Sequence, residues 1–250
     1  LTLANVCYIQ EDYKAMEEAA GKAIAIEEGN AVAHFLLGKA RKGQDDEIMT
    51  IAHLTKAITL KDDFIEARLM RAEALLKMKQ YKETMEDIDA VLAQNPEEET
   101  AILLRGKVKE ANGQEEEAET DYKFVTEINP FNEQAYLYLG QLYINQKKLA
   151  EAIALFDEAI ELNPNFAEAY YNRGTLLALS GKLPEAFEDF SRAIELNPLF
   201  AEAFYNRGMT QIYMKDTRKG CLDLSKAGEL GITSAYEILK RYTGEHTEAF

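Results

Sequence analysis

Tryptophan is absent from this sequence, and cysteine occurs only twice, at Cys7 and Cys221. Two thiols exclude a disulfide-stapled scaffold. At opposite ends of a stacked-repeat chain they lie too far apart to bridge, so both read as small apolar residues or free thiols. That favours a reducing compartment, the cytoplasm slightly ahead of export, which stays open. The three histidines, His34, His53 and His246, have no cysteine or carboxylate at metal-ligand spacing, so no metal site is expected. No glycine-rich loop precedes a Lys-Ser/Thr pair, no other signature calls for a cofactor, and no run of 18 apolar residues could span a bilayer. A signal-peptide pattern is also missing. The chain begins at Leu1 without methionine and partway into a helical pattern, so an upstream segment is expected to have been removed or omitted.

Positive charge is short as well. Lys and Arg total 28 against 44 Asp and Glu, a net −16 that repels a phosphate backbone and makes nucleic acid an unlikely principal partner. The distribution is uneven: residues 1–30 carry −4, whereas residues 201–234 carry +1 and hold the small basic cluster Lys215, Arg218 and Lys219. That cluster reads as a solvated surface. Glu115, Glu116, Glu117 and Glu119 open a helix, where acids favour the dipole, and they read as a solvated face rather than a cation site.

Proline is scarce, but four of the five, Pro96, Pro130, Pro164 and Pro198, stand 34 residues apart, each after an asparagine. A fixed period of this length marks a solenoid of repeated supersecondary units. On the same ruler the small residues Ala4, Gly38, Ala72, Gly106, Gly140, Gly174 and Gly208 form one column. Ala23, Ala57, Val91, Val125, Ala159, Ala193 and Ala227 form a second, where two helices must approach closely. The repeats are therefore 1–30, 31–64, 65–98, 99–132, 133–166, 167–200 and 201–234, in one elongated domain, followed by a capping helix and tail over 235–250. Places below are counted from the first residue of each full repeat.

Within a repeat the apolar residues recur at helical spacing twice, as in Ala167–Ser180 and Leu183–Leu196. Gly181 stops the first helix, Pro184 suits the first turn of the second, and Asn197-Pro198 ends it. Each repeat is a helical hairpin. After the seventh, Ala235, Ile238, Leu239 and Tyr242 fall on one helical face that can cover the last apolar surface.

The pattern closely resembles the tetratricopeptide repeat (TPR) family. It is carried by an aromatic at place four (Tyr136, Tyr170, Phe204), Leu or Arg then Gly (Leu139-Gly140, Arg173-Gly174), and Ala152, Phe156 and Ala159 or Ala118, Tyr122 and Val125 in the second helix. The resemblance implies an all-α, right-handed superhelical solenoid of antiparallel helix hairpins. Repeats one to three place Met16, Thr50 and Thr84 where the family prefers alanine, so looser hairpins are expected there.

Place seven covaries with place twenty-three. Arg71, Arg105, Arg173 and Arg207 accompany Asp87, Asp121, Asp189 and Asp223, whereas Leu3, Leu37 and Leu139 accompany Ala19, His53 and Leu155. A hairpin turning near place fifteen sets these places opposite each other, so four structural ion pairs are expected. Four regularly spaced copies make a poor active site, and the chain reads as no enzyme.

In the resembled family the first helices line the concave face and meet ligands at places two, five, six, nine, twelve and thirteen. Carried over, these are Gln134, Leu137, Tyr138, Gln141 and Asn145; Glu168, Tyr171, Asn172 and Thr175; and Glu202, Tyr205, Asn206, Met209 and Tyr213. Tyr171-Asn172 and Tyr205-Asn206 resemble the asparagine ladders that hold a peptide main chain, since an amide both donates and accepts. The carboxylate clamp for chaperone tails is not met: its places hold Phe35 and Lys39, Leu69 and Met70, Thr100 and Leu104, and Glu168 and Asn172. The expectation is a noncatalytic scaffold binding a peptide segment of a protein partner. The alternatives are a targeting or regulatory module of a longer enzyme or sensor chain, and RNA binding through the basic cluster.

Overall fold

The computed structural model describes residues 12–243. Leu3, Ala4, Cys7 and His246, named above, lie outside them. The described residues form fourteen α-helices and no strands: α1 (Tyr13–Ile26), α2 (Ala31–Lys42), α3 (Glu47–Leu60), α4 (Ile65–Lys77), α5 (Tyr81–Gln94), α6 (Glu99–Ala111), α7 (Glu115–Ile128), α8 (Glu133–Asn145), α9 (Leu149–Leu162), α10 (Ala167–Leu179), α11 (Leu183–Leu196), α12 (Ala201–Tyr213), α13 (Thr217–Glu229) and α14 (Ser234–Thr243). Even-numbered helices from α2 to α12 are first helices, and each packs on the odd-numbered helix that follows. Contacts group the chain into two compact parts, Leu1–Ile128 and Asn129–Phe250.

Every described hairpin turns in the same way. Place fifteen is left-handed in all six: Asp45, Lys79, Lys147 and Lys215 at φ 54°, 60°, 61° and 69°, and Gly113 and Gly181 at 76° and 78°. The N–H of place sixteen returns to the carbonyl of place eleven, as in Lys148 to Tyr143 and Lys182 to Leu177. This six-to-one bond is the Schellman closure of a helix end. At the other end of the repeat the asparagine before proline caps the second helix. The N–H groups of Phe131, Asn165 and Leu199 donate to the side chains of Asn129, Asn163 and Asn197 at 3.0–3.1 Å. An asparagine accepting from two residues on stabilises a turn, and proline between them cannot prolong the helix.

The small residue at place eight lets a large side chain from place twenty-four lie flat against the first helix. A Cβ on Gly106 would stand 2.4 Å from the Tyr122 ring, and on Gly140 2.6 Å from the Phe156 ring. Tyr122, Phe156 and Phe190 are wholly buried. In the seventh repeat Gly220 faces Gly208, so close that a Cβ on either would meet the other's carbonyl at 2.6–2.8 Å. The expectation of loose packing in the early repeats is not what the side chains show. Met16, Thr50 and Thr84 are fully buried, and the two threonine hydroxyls donate to the carbonyls of Asp46 and Gln80 one turn back, both at 2.8 Å.

At the C-terminal end, Ala235 is buried with Leu224 and Ala227, and Ile238 and Leu239 pack against them. Tyr242 departs from that expected face and stays about half exposed. Tyr236 instead lays its ring over the bare backbone of Gly228.

The four arginines meet their aspartates in two-pronged fashion. Arg173 donates from Nε and Nη2 to Asp189 at 2.8 and 2.7 Å, and Arg207 to Asp223 at 2.7 and 2.8 Å. Arg105 does the same to Asp121 at 3.0 and 2.8 Å, and Arg71 to Asp87 at 2.7 and 2.6 Å. The aspartates are buried, Asp189 at 5 % exposure. The free prong was not foreseen: Nη1 reaches the second helix of the preceding repeat, at Thr55 from Arg71 (3.0 Å), Asp157 from Arg173 (2.7 Å) and Ser191 from Arg207 (3.2 Å). Each of these three arginines therefore ties three helices. Repeats without the arginine follow Gly21 or Lys123 at that same place twenty-five, which offer it no acceptor. Bonding to Asp189 and Asp157 outweighs burial and holds the Arg173 guanidinium well above its usual range.

Three outcomes follow for stability. Removing one partner of a buried pair costs roughly 3–5 kcal/mol by stranding the other charge. Arg173→Leu is expected to fall in that range, while Arg173→Leu with Asp189→Leu recovers much of the loss, as the Leu139–Leu155 pair of the fifth repeat implies. A double-mutant cycle in urea checks this, and additive losses contradict it.

Lys147→Gly is expected to raise unfolding free energy by about 1 kcal/mol, because the left-handed conformation costs an L-residue roughly that much. Ala at Gly181, the corresponding place of the next repeat, should lower it by a similar amount.

His34 and His53 stack at 6.2 Å between ring centroids, and neither nitrogen of His34 has a partner. Burial first, then His34 and Arg41, lower the pKa of His53 against the opposing pull of Glu17 and Asp46. The unfolded chain therefore takes up the proton first as pH falls. The stabilisation is complete above the ordinary histidine range and is lost through the folded value. Urea titrations between about pH 7.5 and 5 should show a shallower slope for His53→Leu than for the wild type.

Candidate functional site

Within Asn129–Phe250 the first helices α8, α10 and α12 follow one another at the repeat spacing, and adjacent ones touch. The 34-residue period places like positions on like faces, so place six gives Tyr138, Asn172 and Asn206, and place nine gives Gln141, Thr175 and Met209. All six are half-buried. Glu168 and Glu202 at place two are exposed, as is Tyr213 at place thirteen, while Tyr171 and Tyr205 at place five are half-buried. Leu137 is a correction: it is 3 % exposed and belongs to the core with Phe156 and Leu176, so it cannot meet a ligand. A leucine at place five turns wholly inward, whereas Tyr171 at the same place of the next repeat is only half-buried.

The asparagines are not free two-way grips. Asn172 spends its Nδ2 on the Glu168 carbonyl one turn back at 2.7 Å. Asn206 donates from Nδ2 to the Tyr171 hydroxyl (3.3 Å) and to Thr175 Oγ1 (3.4 Å). Thr175 in turn donates to the Tyr171 carbonyl at 2.8 Å. Both amides are thus held by their nitrogens, Asn206 through two bonds and Asn172 through one, and the carbonyl oxygen of each is left as an acceptor. Tyr171 also packs its ring 4.8 Å from that of Phe200. Burial, then the Glu202 carboxylate, raise the Tyr171 pKa against the bonds from Thr175 and Asn206, so the hydroxyl keeps its proton.

Charge on this face has one sign. The ionised groups of α8, α10 and α12 are Glu133, Glu168 and Glu202 together with Arg173 and Arg207, and both arginines are consumed by the pairs described above. Glu133 accepts from Asn163 at 3.1 Å. Glu168 and Glu202 form no ion pair among the described residues.

Between α10, α11 and α12 lies an open cavity of about 200 Å³, lined by Ala178, Leu179, Leu183, Phe190, Met209 and Tyr213, with Thr175, Asn206 and Thr210 among them. Its rim is apolar and accessible, Leu179 being 73 % and Tyr213 66 % exposed. The sequence reading had Thr175, Asn206, Met209 and Tyr213 but missed Leu179, Leu183 and Phe190. The signal was present in Leu179, an apolar residue in the last turn of a first helix where the other groove residues are polar or aromatic. Among the described residues no group of three or more His, Cys, Asp and Glu side chains could hold a metal ion. No described helix is long and apolar enough to cross a membrane.

The family model of the tetratricopeptide repeat matches residues 103–165 and 139–199. Comparison with curated proteins returns no match. Among solved structures the chain is similar to a tetratricopeptide repeat protein from Parabacteroides merdae ATCC 43184, at 21 % identity and TM-score 0.74, with 96 % of each chain covered. It is similar to the APC/C hetero-tetramer Cut9-Hcn1 at 13 % identity and TM-score 0.82, covering 96 % of this chain and 48 % of that one. It is also similar to YrrB, a TPR protein with an unusual peptide-binding site, at 26 % identity and TM-score 0.52, covering 75 % of this chain and 97 % of that one. Residues 103–199 are thus tetratricopeptide repeats, in a chain that is built of helical hairpins throughout its described residues.

Proposed function

We propose that this protein is a noncatalytic interaction scaffold that holds a peptide segment of a protein partner against the first-helix face of α8, α10 and α12. Repeats of this family are generally protein–protein interaction scaffolds, and the similarity to YrrB, a peptide-binding TPR protein, supports the same use here. The observation that carries the reading is the repeated Tyr-Asn pair. Asn172 and Asn206 stand 34 residues apart, each pinned through its nitrogen with its oxygen left to accept, and tyrosines flank both. A row of fixed acceptors suits the N–H groups of an extended main chain, and rigid aromatic rings add contact area at low entropic cost.

Hydrogen bonds of this kind contribute about 0.5–1.5 kcal/mol each. Asn172→Ala with Asn206→Ala is therefore expected to weaken binding of a captured protein partner by roughly 1–3 kcal/mol. Glu188→Ala, on the exposed side of α11, should leave it unchanged. Isothermal titration of the three proteins checks this, alongside thermal unfolding to show that the double variant remains folded. Undiminished binding by the double variant, with the α11 variant impaired, moves the site off the first helices.

A further inference from the structure

Resting on that reading, we infer that the bound segment is cationic, with one bulky apolar side chain, of leucine, methionine or phenylalanine type, seated in the α10–α11–α12 cavity beside a Lys or Arg that faces Glu168 and Glu202. Three observations converge. The cavity, about 200 Å³, suits a single side chain, being smaller than the ~300–1,000 Å³ of small-molecule sites. Its walls are apolar. Its polar residues have turned their donors inward: Thr210 donates to the Asn206 carbonyl at 2.7 Å, Thr175 to the Tyr171 carbonyl and Asn206 to Thr175. No hydroxyl or amide hydrogen on these three residues is left to recognise an acidic or carbonyl-bearing side chain. An apolar one satisfies the cavity without stranding a polar group.

Among the described residues, the side-chain charges of α8, α10 and α12 that stand outside ion pairs are negative only. The Oδ1 atoms of Asn172 and Asn206 and the carboxylates of Glu168 and Glu202 point to a ligand rich in donors. The only two cations on α8, α10 and α12, Arg173 and Arg207, are each engaged through all three nitrogens. An acidic segment would meet two carboxylates with no compensating charge, whereas Lys or Arg finds complementarity that selects partners more by excluding wrong ones than by raw affinity. The anion-binding clamp that the sequence fails to match would need the opposite polarity.

The test pans a random dodecapeptide phage library against the full chain, then measures synthetic versions of the enriched peptides by fluorescence anisotropy. The expected result is a consensus with one bulky apolar position next to Lys or Arg. Glu168→Gln with Glu202→Gln should weaken these peptides about 2–5-fold, the scale of exposed ion pairs, and relax the basic preference in a second panning. Ala178→Phe, which fills the cavity, and Leu179→Glu, which charges its exposed rim, should each weaken them about tenfold or more. Thermal unfolding of each variant establishes that it is folded, and the rim variant carries the test if the filled one is not. Peptides with acidic or polar consensus that still lose affinity in Asn172→Ala/Asn206→Ala overturn this inference and leave the binding face standing. Peptides indifferent to every one of these variants, or no enrichment at all, overturn both.

Discussion

Each hairpin depends on one close contact, the ring or branched side chain at place twenty-four pressed against a first helix that has no side chain, or only a methyl, at place eight. Gly106 under Tyr122 and Gly140 under Phe156 leave no room for a Cβ. Such an approach fixes the separation and rotation of the two helices, because interiors packed at crystal density do not deform continuously. Everything polar in the hairpin then falls into register. Place seven comes opposite place twenty-three, and the guanidinium can close two bonds on one carboxylate while its third nitrogen crosses to the preceding repeat. Where repeat seven exchanges the aromatic for leucine, Gly220 lets the backbones come nearer still, so the same separation problem is solved from the other side.

The ion pairs and the proposed binding face are linked through this register. Locking Arg173 and Arg207 into buried pairs removes the only cations that α8, α10 and α12 possess, and that leaves Glu168 and Glu202 to set the sign of the exposed surface. The amides follow the same logic at smaller scale. Asn172 and Asn206 satisfy the scaffold with their nitrogens, and the surface inherits their oxygens. The charge and the amide oxygens that this face presents are a by-product of how the repeats hold themselves together.

The early repeats use different chemistry at the same places. Arg68 stands where repeats five to seven have Tyr136, Tyr170 and Phe204, and its Nε donates to the Asp62 carbonyl at 3.1 Å; the Tyr136 hydroxyl donates to the equivalent Pro130 carbonyl at 3.3 Å. His34 fills that place stacked on His53, its nitrogens without a hydrogen-bond partner among the described residues. Lys109 adds a second cation on Asp121 at 2.9 Å. None of these substitutions disturbs the backbone, because the close contact and the left-handed turn are met in each repeat by other means.

The sequence by itself determined the architecture and its register: four Asn-Pro steps, a column of small residues and an Arg–Asp covariation are all consequences of a fixed distance along the chain, and distance along the chain is what a sequence records. It was equally sufficient for the turn at Gly181, though not for Lys79, Lys147 and Lys215, whose strained conformation is imposed by the hairpin against their own preference. Only the tertiary structure decided which hydrogen of an amide is spent and which oxygen remains, that Leu137 turns into the core, that the arginine's third nitrogen reaches back one repeat, and that Leu179, Leu183 and Phe190 meet Met209 and Tyr213 around a cavity. These depend on the directions of side chains drawn from three helices, and a direction exists only once the helices have packed.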